Sequence, residues 1–188
     1  MIENDYYKDI ISALQKIENS SDKDTIRKIT KIWRHEYQKH VGVGKRVFIT
    51  GNGGSCAIAE HISTDLNKRC KVKATTLSNN SLHTALTNDY GQDNALVEWM
   101  KINHFDNTDF LVAISSSGKS PNVLNAINHA NDCLGYVLAI FGMDGESPLY
   151  TANRYEYNYI HIDSHNYGIC ELTTEIILHG IIEELVIK

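Results

Sequence analysis

The residues best suited to chemistry in this chain are a histidine and a carboxylate one helical turn apart. His61 and Asp65 are four residues apart in a predicted helix over 55–67, so their side chains share one face of that helix. Imidazole and carboxylate groups at this spacing suit Zn²⁺ coordination, and they also suit proton transfer. The alternative is an ordinary surface histidine beside a solvated acid.

A second polar stripe lies on the last predicted helix, over 169–186. Glu171, Glu175 and His179 follow one another at four-residue steps, while most other positions of this helix are Ile, Leu or Val. Burying such a stripe is costly without partners, which favours a site shared between the two helices. We interpret Glu175 as an outer or solvated residue rather than a ligand.

A glycine-rich turn precedes the first of these helices. Residues 46–50 predict a strand, and Gly-Asn-Gly-Gly-Ser follows at 51–55. Glycines permit positive φ angles and close approach of a ligand to the main chain, and Ser55 is expected to cap the helix. A helix N-terminus offers unpaired N–H groups and partial positive charge. The turn therefore predicts a site for a phosphorylated or otherwise anionic small molecule, the alternative being a plain strand-to-helix turn.

A serine-rich loop has the same position after another predicted strand, 109–114. The loop reads Ser-Ser-Ser-Gly-Lys-Ser at 115–120 and leads into a helix predicted over 119–132. Hydroxyls and backbone amides there can donate to phosphate oxygens. The P-loop and dinucleotide-binding glycine patterns are both absent. A flexible polar loop that caps a helix is the alternative.

Strands and helices alternate along the chain. Further helices are predicted at 3–18, 22–40 and 92–104, and further strands at 73–77, 136–141 and 157–162. This order predicts an α/β fold: a three-layer α-β-α sandwich with a mainly parallel five-stranded sheet, preceded by N-terminal helices. Ligands of such sheets bind beyond the carboxyl ends of the strands, where the glycine turn and the serine loop should meet.

Length and composition agree with one domain. The 188 residues can bury a single core, and a net charge of −5 argues against a general nucleic-acid binder. The sequence contains no long apolar run, so we predict neither a membrane span nor a secretion signal. The four cysteines, Cys56, Cys70, Cys133 and Cys170, form no C-x-x-C pair and are interpreted as free thiols in a reducing cytoplasm.

The glycine turn and the serine loop together resemble the sugar isomerase (SIS) domain, and within it the phosphoheptose isomerases, over nearly the whole chain. The resemblance implies a flavodoxin-like fold and a cytoplasmic isomerase. Such an enzyme converts D-sedoheptulose 7-phosphate to D-glycero-D-manno-heptose 7-phosphate through an enediol. The product would supply bacterial lipopolysaccharide or capsule.

The resemblance also implies which residues bind the substrate. Asp89, within Asn-Asp-Tyr-Gly at 88–91, matches a substrate-facing aspartate, although from sequence alone this segment is better interpreted as a simple turn. The other implied substrate contacts are Ser115, Ser117 and Ser120 with the phosphate, and Ser116, Asn52, Gly53 and Ser55 with the rest of the substrate.

Catalytic roles and a metal ion follow from the same resemblance. Asp65 would be the base that moves a proton between C1 and C2, and His179 the acid. One Zn²⁺ per subunit would be held by His61, Asp65, Glu171 and His179. The family carries glutamate where this chain has Asp65, and glutamine where it has Glu171. The shorter Asp65 shifts its carboxylate by about an ångström, while the charge of Glu171 should hold a divalent cation more tightly.

The two N-terminal helices carry apolar stripes before any strand appears. By the resemblance they would pack between the subunits of a homotetramer, with Ile10, Leu14, Ile26 and Trp33 as interface candidates; packing on their own domain is the alternative. Two other functions share the fold. One is a non-catalytic SIS protein that binds a replication initiator, and the other is a sensor of sugar phosphates.

Overall fold

A parallel β-sheet with helices on both faces forms the protein. The computed structural model describes residues 5–39, 45–143 and 158–186, except for the side chains of residues 33, 34 and 36–39. The described helices are α1 Tyr6–Glu18, α2 Asp22–Lys39, α3 Gly54–Arg69, α4 Asn80–Tyr90, α5 Ala95–Ile102, α6 Pro121–Asp132 and α7 Tyr167–Leu185. The described strands are β1 Arg46–Thr50, β2 Lys73–Thr75, β3 Phe110–Ser115, β4 Tyr136–Gly142 and β5 Asn158–Ile162.

The strand order explains where a ligand can bind. The sheet runs β2-β1-β3-β4-β5, and each neighbouring pair is parallel. The order reverses between β1 and β3, and the crevice beyond the carboxyl ends at such a reversal is the usual ligand site. The glycine turn follows β1 and the serine loop follows β3, so both lie there. The predicted three-layer α/β fold with a five-stranded sheet is confirmed.

Each face of the sheet has its own apolar core. Val47 and Ile49 of β1 pack into a cluster with side chains of α1, α2, α3 and α7. Phe48, between them, packs into a second cluster with side chains of α4, α5 and α6. Because both faces are covered, all six residues of β3 are buried.

One helix was not predicted from the sequence. The α4 helix spans Asn80–Tyr90, and Asn79 caps its N-terminus by accepting a hydrogen bond from the N–H of Leu82. Only Leu86 of this helix is buried, so no apolar stripe marked it. The segment 88–91 is the end of α4, where Gly91 has a φ of 81°.

Other boundaries differ from the predictions by a few residues. The helix predicted over 92–104 is α5, and the strand predicted over 73–77 ends at Thr75. Residues 3–4, 40 and 157, which belonged to predicted elements, and the side chain of Trp33 lie outside the described part of the chain. Of the other interface candidates, Ile10 and Ile26 pack against the chain's own core, and Leu14 is half-buried.

A buried ion pair joins the beginnings of β1 and β3. Asp109, fully buried, accepts hydrogen bonds from Nε and Nη2 of Arg46 at 3.0 and 2.6 Å. It also accepts from the backbone N–H groups of Arg46 and Asp106. The guanidinium in turn donates to the carbonyls of Asn103 and His104. The pair thus fastens the edge of the sheet opposite the ligand crevice.

Replacing Asp109 by alanine should lower the free energy of unfolding by about 3 kcal/mol, because two N–H groups and part of a guanidinium lose their acceptor. Urea unfolding followed by circular dichroism measures this. Asp24→Asn is the control, since the exposed Asp24–Arg27 pair should contribute less than about 0.5 kcal/mol. Equal effects of the two substitutions would contradict a structural role for the buried pair.

Candidate active site

The glycine turn and the serine loop enclose a polar cavity at the carboxyl edge of the sheet. Its volume is about 290 Å³. The lining residues are Asn52, Gly53, Gly54, Ser55, Ser115, Ser116, Ser117, Ser120, Tyr167 and Glu171. Seven of the eight residues expected to bind substrate are therefore together, and Asp89 is the exception.

The start of α3 forms one wall of this cavity. Gly53, not Ser55, occupies the N-cap position, so the expected cap at Ser55 is wrong. Gly53 has a φ of 54°, which glycine adopts without strain, and the chain enters the helix two residues earlier than a cap at Ser55 would require. Ser55 lies instead in the first turn and is buried, while the positive end of the helix dipole points at the cavity.

The start of α6 forms the opposite wall. Ser120 is its N-cap, and Pro121, which has no N–H, is the first helical residue. The hydroxyl of Ser115 donates to that of Ser120 at 3.2 Å, and Ser117 Oγ accepts from the N–H of Lys119. Two helix N-termini and several hydroxyls thus converge, which suits an anion.

A reciprocal pair of amides joins the two walls. Asn52 Nδ2 donates to Oδ1 of Asn122, and Asn122 Nδ2 donates to Oδ1 of Asn52, both at 2.9 Å. Asn122 Oδ1 also accepts from the N–H of Val123. Sequence reasoning missed Asn122, because nothing in the neighbouring sequence indicates its pairing with Asn52.

The expected metal or acid–base residues meet farther along the same two helices. Nε2 of His61 lies 3.2 Å from Nε2 of His179, and Oδ2 of Asp65 lies 3.8 Å from Nδ1 of His179. One ligand atom from each of the three residues lies within 4.8 Å of the others, so the group could hold a metal ion. The packing of α3 against α7 thus brings these three side chains together.

Arg69 adds a cation to this group. Its Nη1 lies 3.4 Å from Oδ2 of Asp65, one helical turn away, and its Nη2 donates to Glu183 of α7. The hydrogen bond with Glu183, and the weaker one with Asp65, raise the pKa of Arg69. Sequence reasoning missed Arg69, although the i,i+4 spacing from Asp65 was a signal.

Glu171 is not part of the histidine group, the cluster formed by His61, Asp65 and His179. Its carboxylate lies against Gly54, where a Cβ atom would come within 2.5 Å of both carboxylate oxygens. Glu171 precedes His179 by eight residues, about 12 Å along a helix. Glu171 therefore belongs to the cavity wall, and His179 belongs to the histidine group.

Asp89 is exposed and does not line the cavity. Asn125, in the second turn of α6, donates to the carbonyl of Asp93, which places the turn between α4 and α5 near the carboxyl edge of the sheet.

His165 lines a separate cavity of about 390 Å³ beside α1.

The cysteines take no part in either group. All four are free thiols, as predicted. Burial raises the pKa of Cys56, Cys70, Cys133 and Cys170, which keeps them in the unreactive thiol form.

Comparison with known proteins identifies the class. The SIS domain family matches residues 5–142, so the chain belongs to the SIS domain family. Curated relatives include the phosphoheptose isomerases of Helicobacter pylori strain HPAG1, 38% identical over 106 residues, and of Campylobacter concisus, 40% identical over 108 residues. These alignments cover 53% and 54% of this chain and 55% and 57% of the relatives. The chain thus spans about half the length of the curated relatives it matches.

Solved structures extend the likeness in fold. A phosphoheptose isomerase from Francisella tularensis has a TM-score of 0.83 and 25% identity, covering 97% of this chain and 95% of its own. The phosphoheptose isomerase of Neisseria gonorrhoeae has a TM-score of 0.84 and 22% identity, covering 96% and 94%. The resemblance to phosphoheptose isomerases is confirmed. None of the described helices is long and apolar enough to span a membrane.

A double-mutant cycle tests the amide pair. Asn122→Ala should lower the free energy of unfolding by about 1–2 kcal/mol, and the cycle with Asn52→Ala should give a coupling energy of about 1 kcal/mol. Chemical unfolding of the four proteins measures both values. A coupling energy near zero would mean that the amides do not hold the two walls together.

Proposed function

We propose that the protein is a phosphosugar isomerase that converts D-sedoheptulose 7-phosphate to D-glycero-D-manno-heptose 7-phosphate. The observation that carries the proposal is the distance between the polar cavity at the start of α3 and the cluster of His61, Asp65 and His179. The polar cavity, which we call the anion cavity, begins at Gly54. His61 lies seven residues farther along α3, a rise of about 10 Å. An open-chain seven-carbon sugar phosphate is of similar length, so its phosphate and its carbonyl end fit the two groups at once.

The serine loop is proposed to hold the phosphate. Ser115, Ser117 and Ser120 would donate from their hydroxyls, and the N-termini of α3 and α6 would add partial positive charge. Ser116, Asn52, Gly53 and Ser55 would contact the rest of the chain. Fixing one end of the substrate in this way positions the other end for reaction.

Proton transfer is assigned to Asp65 and His179. Asp65 would remove the carbon-bound proton of the substrate and return it to the neighbouring carbon, which gives the enediol and then the product. His179 would move a proton at the substrate oxygen. Arg69, 3.4 Å from Asp65, would hold the shorter carboxylate in place.

Zn²⁺ is the proposed metal, because the donor set fits it. Two imidazole nitrogens bound to one tetrahedral Zn²⁺ are about 3.3 Å apart, close to the 3.2 Å between His61 and His179. Asp65 would be the third protein ligand and would alternate between this role and that of the base, because a tightly bound ligand is not a free base. Glu171, the fourth ligand expected from the family, lies at Gly54 instead. A bound ion would supply a Lewis acid at the carbonyl oxygen.

A homotetramer in the cytoplasm is the proposed setting, with the product used for lipopolysaccharide or capsule. The free thiols support a reducing compartment. Exposed apolar side chains on two helices support association: Tyr7 and Ile11 on α1, and Leu172 and Ile176 on α7. Asp89, exposed near the carboxyl edge, is assigned to the site of a neighbouring subunit.

Asp65→Asn should abolish turnover and leave the fold intact, because the amide cannot accept the carbon-bound proton. NMR in D₂O, with sedoheptulose 7-phosphate as substrate, measures this. The wild type should yield an aldose with deuterium at C2, and a chelator should slow the reaction. Glu60→Gln, an exposed charge on the same helix, is the control and should turn over normally.

Each outcome of this experiment has a distinct meaning. Full activity of Asp65→Asn would remove Asp65 from the mechanism. A wild type that binds the sugar phosphate without exchange, even with Zn²⁺ supplied, would favour a sensor. Neither binding nor exchange would overturn the proposed substrate and favour a partner-binding SIS protein.

Ser117→Ala should raise KM for the sugar phosphate roughly tenfold, the effect of losing one hydrogen bond to a charged group. Steady-state kinetics measures KM, and thermal unfolding should show little change because Ser117 is only half-buried. Ser81→Ala, an exposed serine of α4, is the control. An unchanged KM for Ser117→Ala would place the phosphate elsewhere.

A further inference from the structure

The anion cavity has an unusual charge balance. Among the described residues that line it, Glu171 is the only one with an ionisable acidic or basic side chain other than the phenol of Tyr167. No lysine or arginine is among these lining residues. An anion in this cavity is therefore bound by neutral donors and helix dipoles, next to a carboxylate.

Glu171 occupies the part of the cavity wall that faces the start of α3. Its carboxylate contacts the Cα side of Gly54, and a Cβ there would lie 2.5 Å from both oxygens, so a side chain at position 54 would displace it. Gly54, Glu171 and the serine loop line the same cavity, and His61 lies two helical turns farther along α3. A ligand held by the serine loop therefore shares this cavity with the Glu171 carboxylate.

A carboxylate at this point treats hydroxyls and anions differently. It accepts hydrogen bonds and donates none, so it can bind the hydroxyls of a polyol. It repels a second negative group, and the repulsion is stronger in a partly enclosed cavity than in bulk water. The terminal phosphate is compensated by the helix N-termini and the serine hydroxyls, whereas a second anion beside Glu171 would have no such compensation.

We propose that Glu171 selects ligands by charge: it admits polyol chains with a single terminal phosphate and excludes those that carry a second anionic group near the phosphate. The inference rests on the proposed function, because it assigns the serine loop to the phosphate. It adds a determinant of specificity that an amide at position 171 would not provide. Two like charges about 6 Å apart at an effective dielectric constant of about 20 correspond to a discrimination of roughly tenfold to a hundredfold.

Two small phosphates of matched size test the proposal. Glycerol 3-phosphate carries hydroxyls beside its phosphate, and 3-phosphoglycerate carries a carboxylate in place of one of them. Dissociation constants are measured by ligand-observed NMR on the full chain with a chelator present, so that no metal ion binds the carboxylate. The wild type should prefer glycerol 3-phosphate at least tenfold, and Glu171→Gln should reduce this preference about tenfold.

Glu175→Gln is the matched control. Glu175 lies one turn farther along α7, is half-buried like Glu171 and does not line the cavity, so removing its charge should leave the preference unchanged. A similar loss in both variants would reduce the effect to net charge and overturn the proposal. So would a Glu171→Gln protein that keeps the wild-type preference, or a wild type that binds both ligands equally.

The outcome is separable from that of the proposed reaction. Selection between the two small phosphates without turnover of sedoheptulose 7-phosphate would overturn the isomerase and leave the charge selection standing. Turnover without selection would do the reverse. If the wild type bound neither ligand, the anion cavity itself, on which both proposals depend, would be wrong.

Discussion

The parallel packing of α3 against α7 is the constraint on which the site depends. Gly54 faces Glu171, His61 faces His179, and Arg69 faces Glu183, so residue numbers rise together along both helices. Reversing either helix would separate at least the two outer pairs, Gly54 with Glu171 and Arg69 with Glu183. Both helices bury their apolar faces in the same cluster, and this packing fixes their parallel direction. The three residue pairs form a polar seam at the margin of that cluster.

The sheet supplies the other half of the geometry. Where the strand order reverses, the loops after β1 and β3 come together without any residue having to be strained into place. The amides of Asn52 and Asn122 then tie the two loops, and the Arg46–Asp109 pair fastens the same strands at their opposite ends. Side-chain contacts thus link the central strands at both ends.

Sequence periodicity and spacing predicted the parts of the site that lie on regular elements. The i,i+4 spacing placed His61 and Asp65 on one helical face, and Glu175 and His179 on another, while their expected roles came from the family resemblance. The serine loop was recognisable because it follows a wholly apolar strand. Contacts between distant segments were not recognisable: Asn122 meets Asn52 across 70 residues, and nothing local to either position indicates the pairing.

The errors have physical reasons of the same kind. The α4 helix was missed because it buries only Leu86 and is stabilised by a cap at Asn79 rather than by an apolar stripe. Ser55 is a residue type that often caps helices, but Gly53, with its positive φ, is the N-cap, so α3 begins two residues earlier. Glu171 shares the polar stripe of His179, yet it lies eight residues, about 12 Å, away along the helix. The pattern of residue types did not convey that the two side chains lie in different parts of the site.

The two carboxylates on this seam differ in their partners, and that difference separates their roles. Asp65 has Arg69 and His179 beside it, and these contacts suit the proposed role of Asp65 as a base or metal ligand. Glu171 faces a glycine and neutral donors, which suits its proposed role in selecting ligands by charge. Similar acids placed in unlike surroundings commonly take unlike functions, and here the distance between them is set by the rise of a single helix pair.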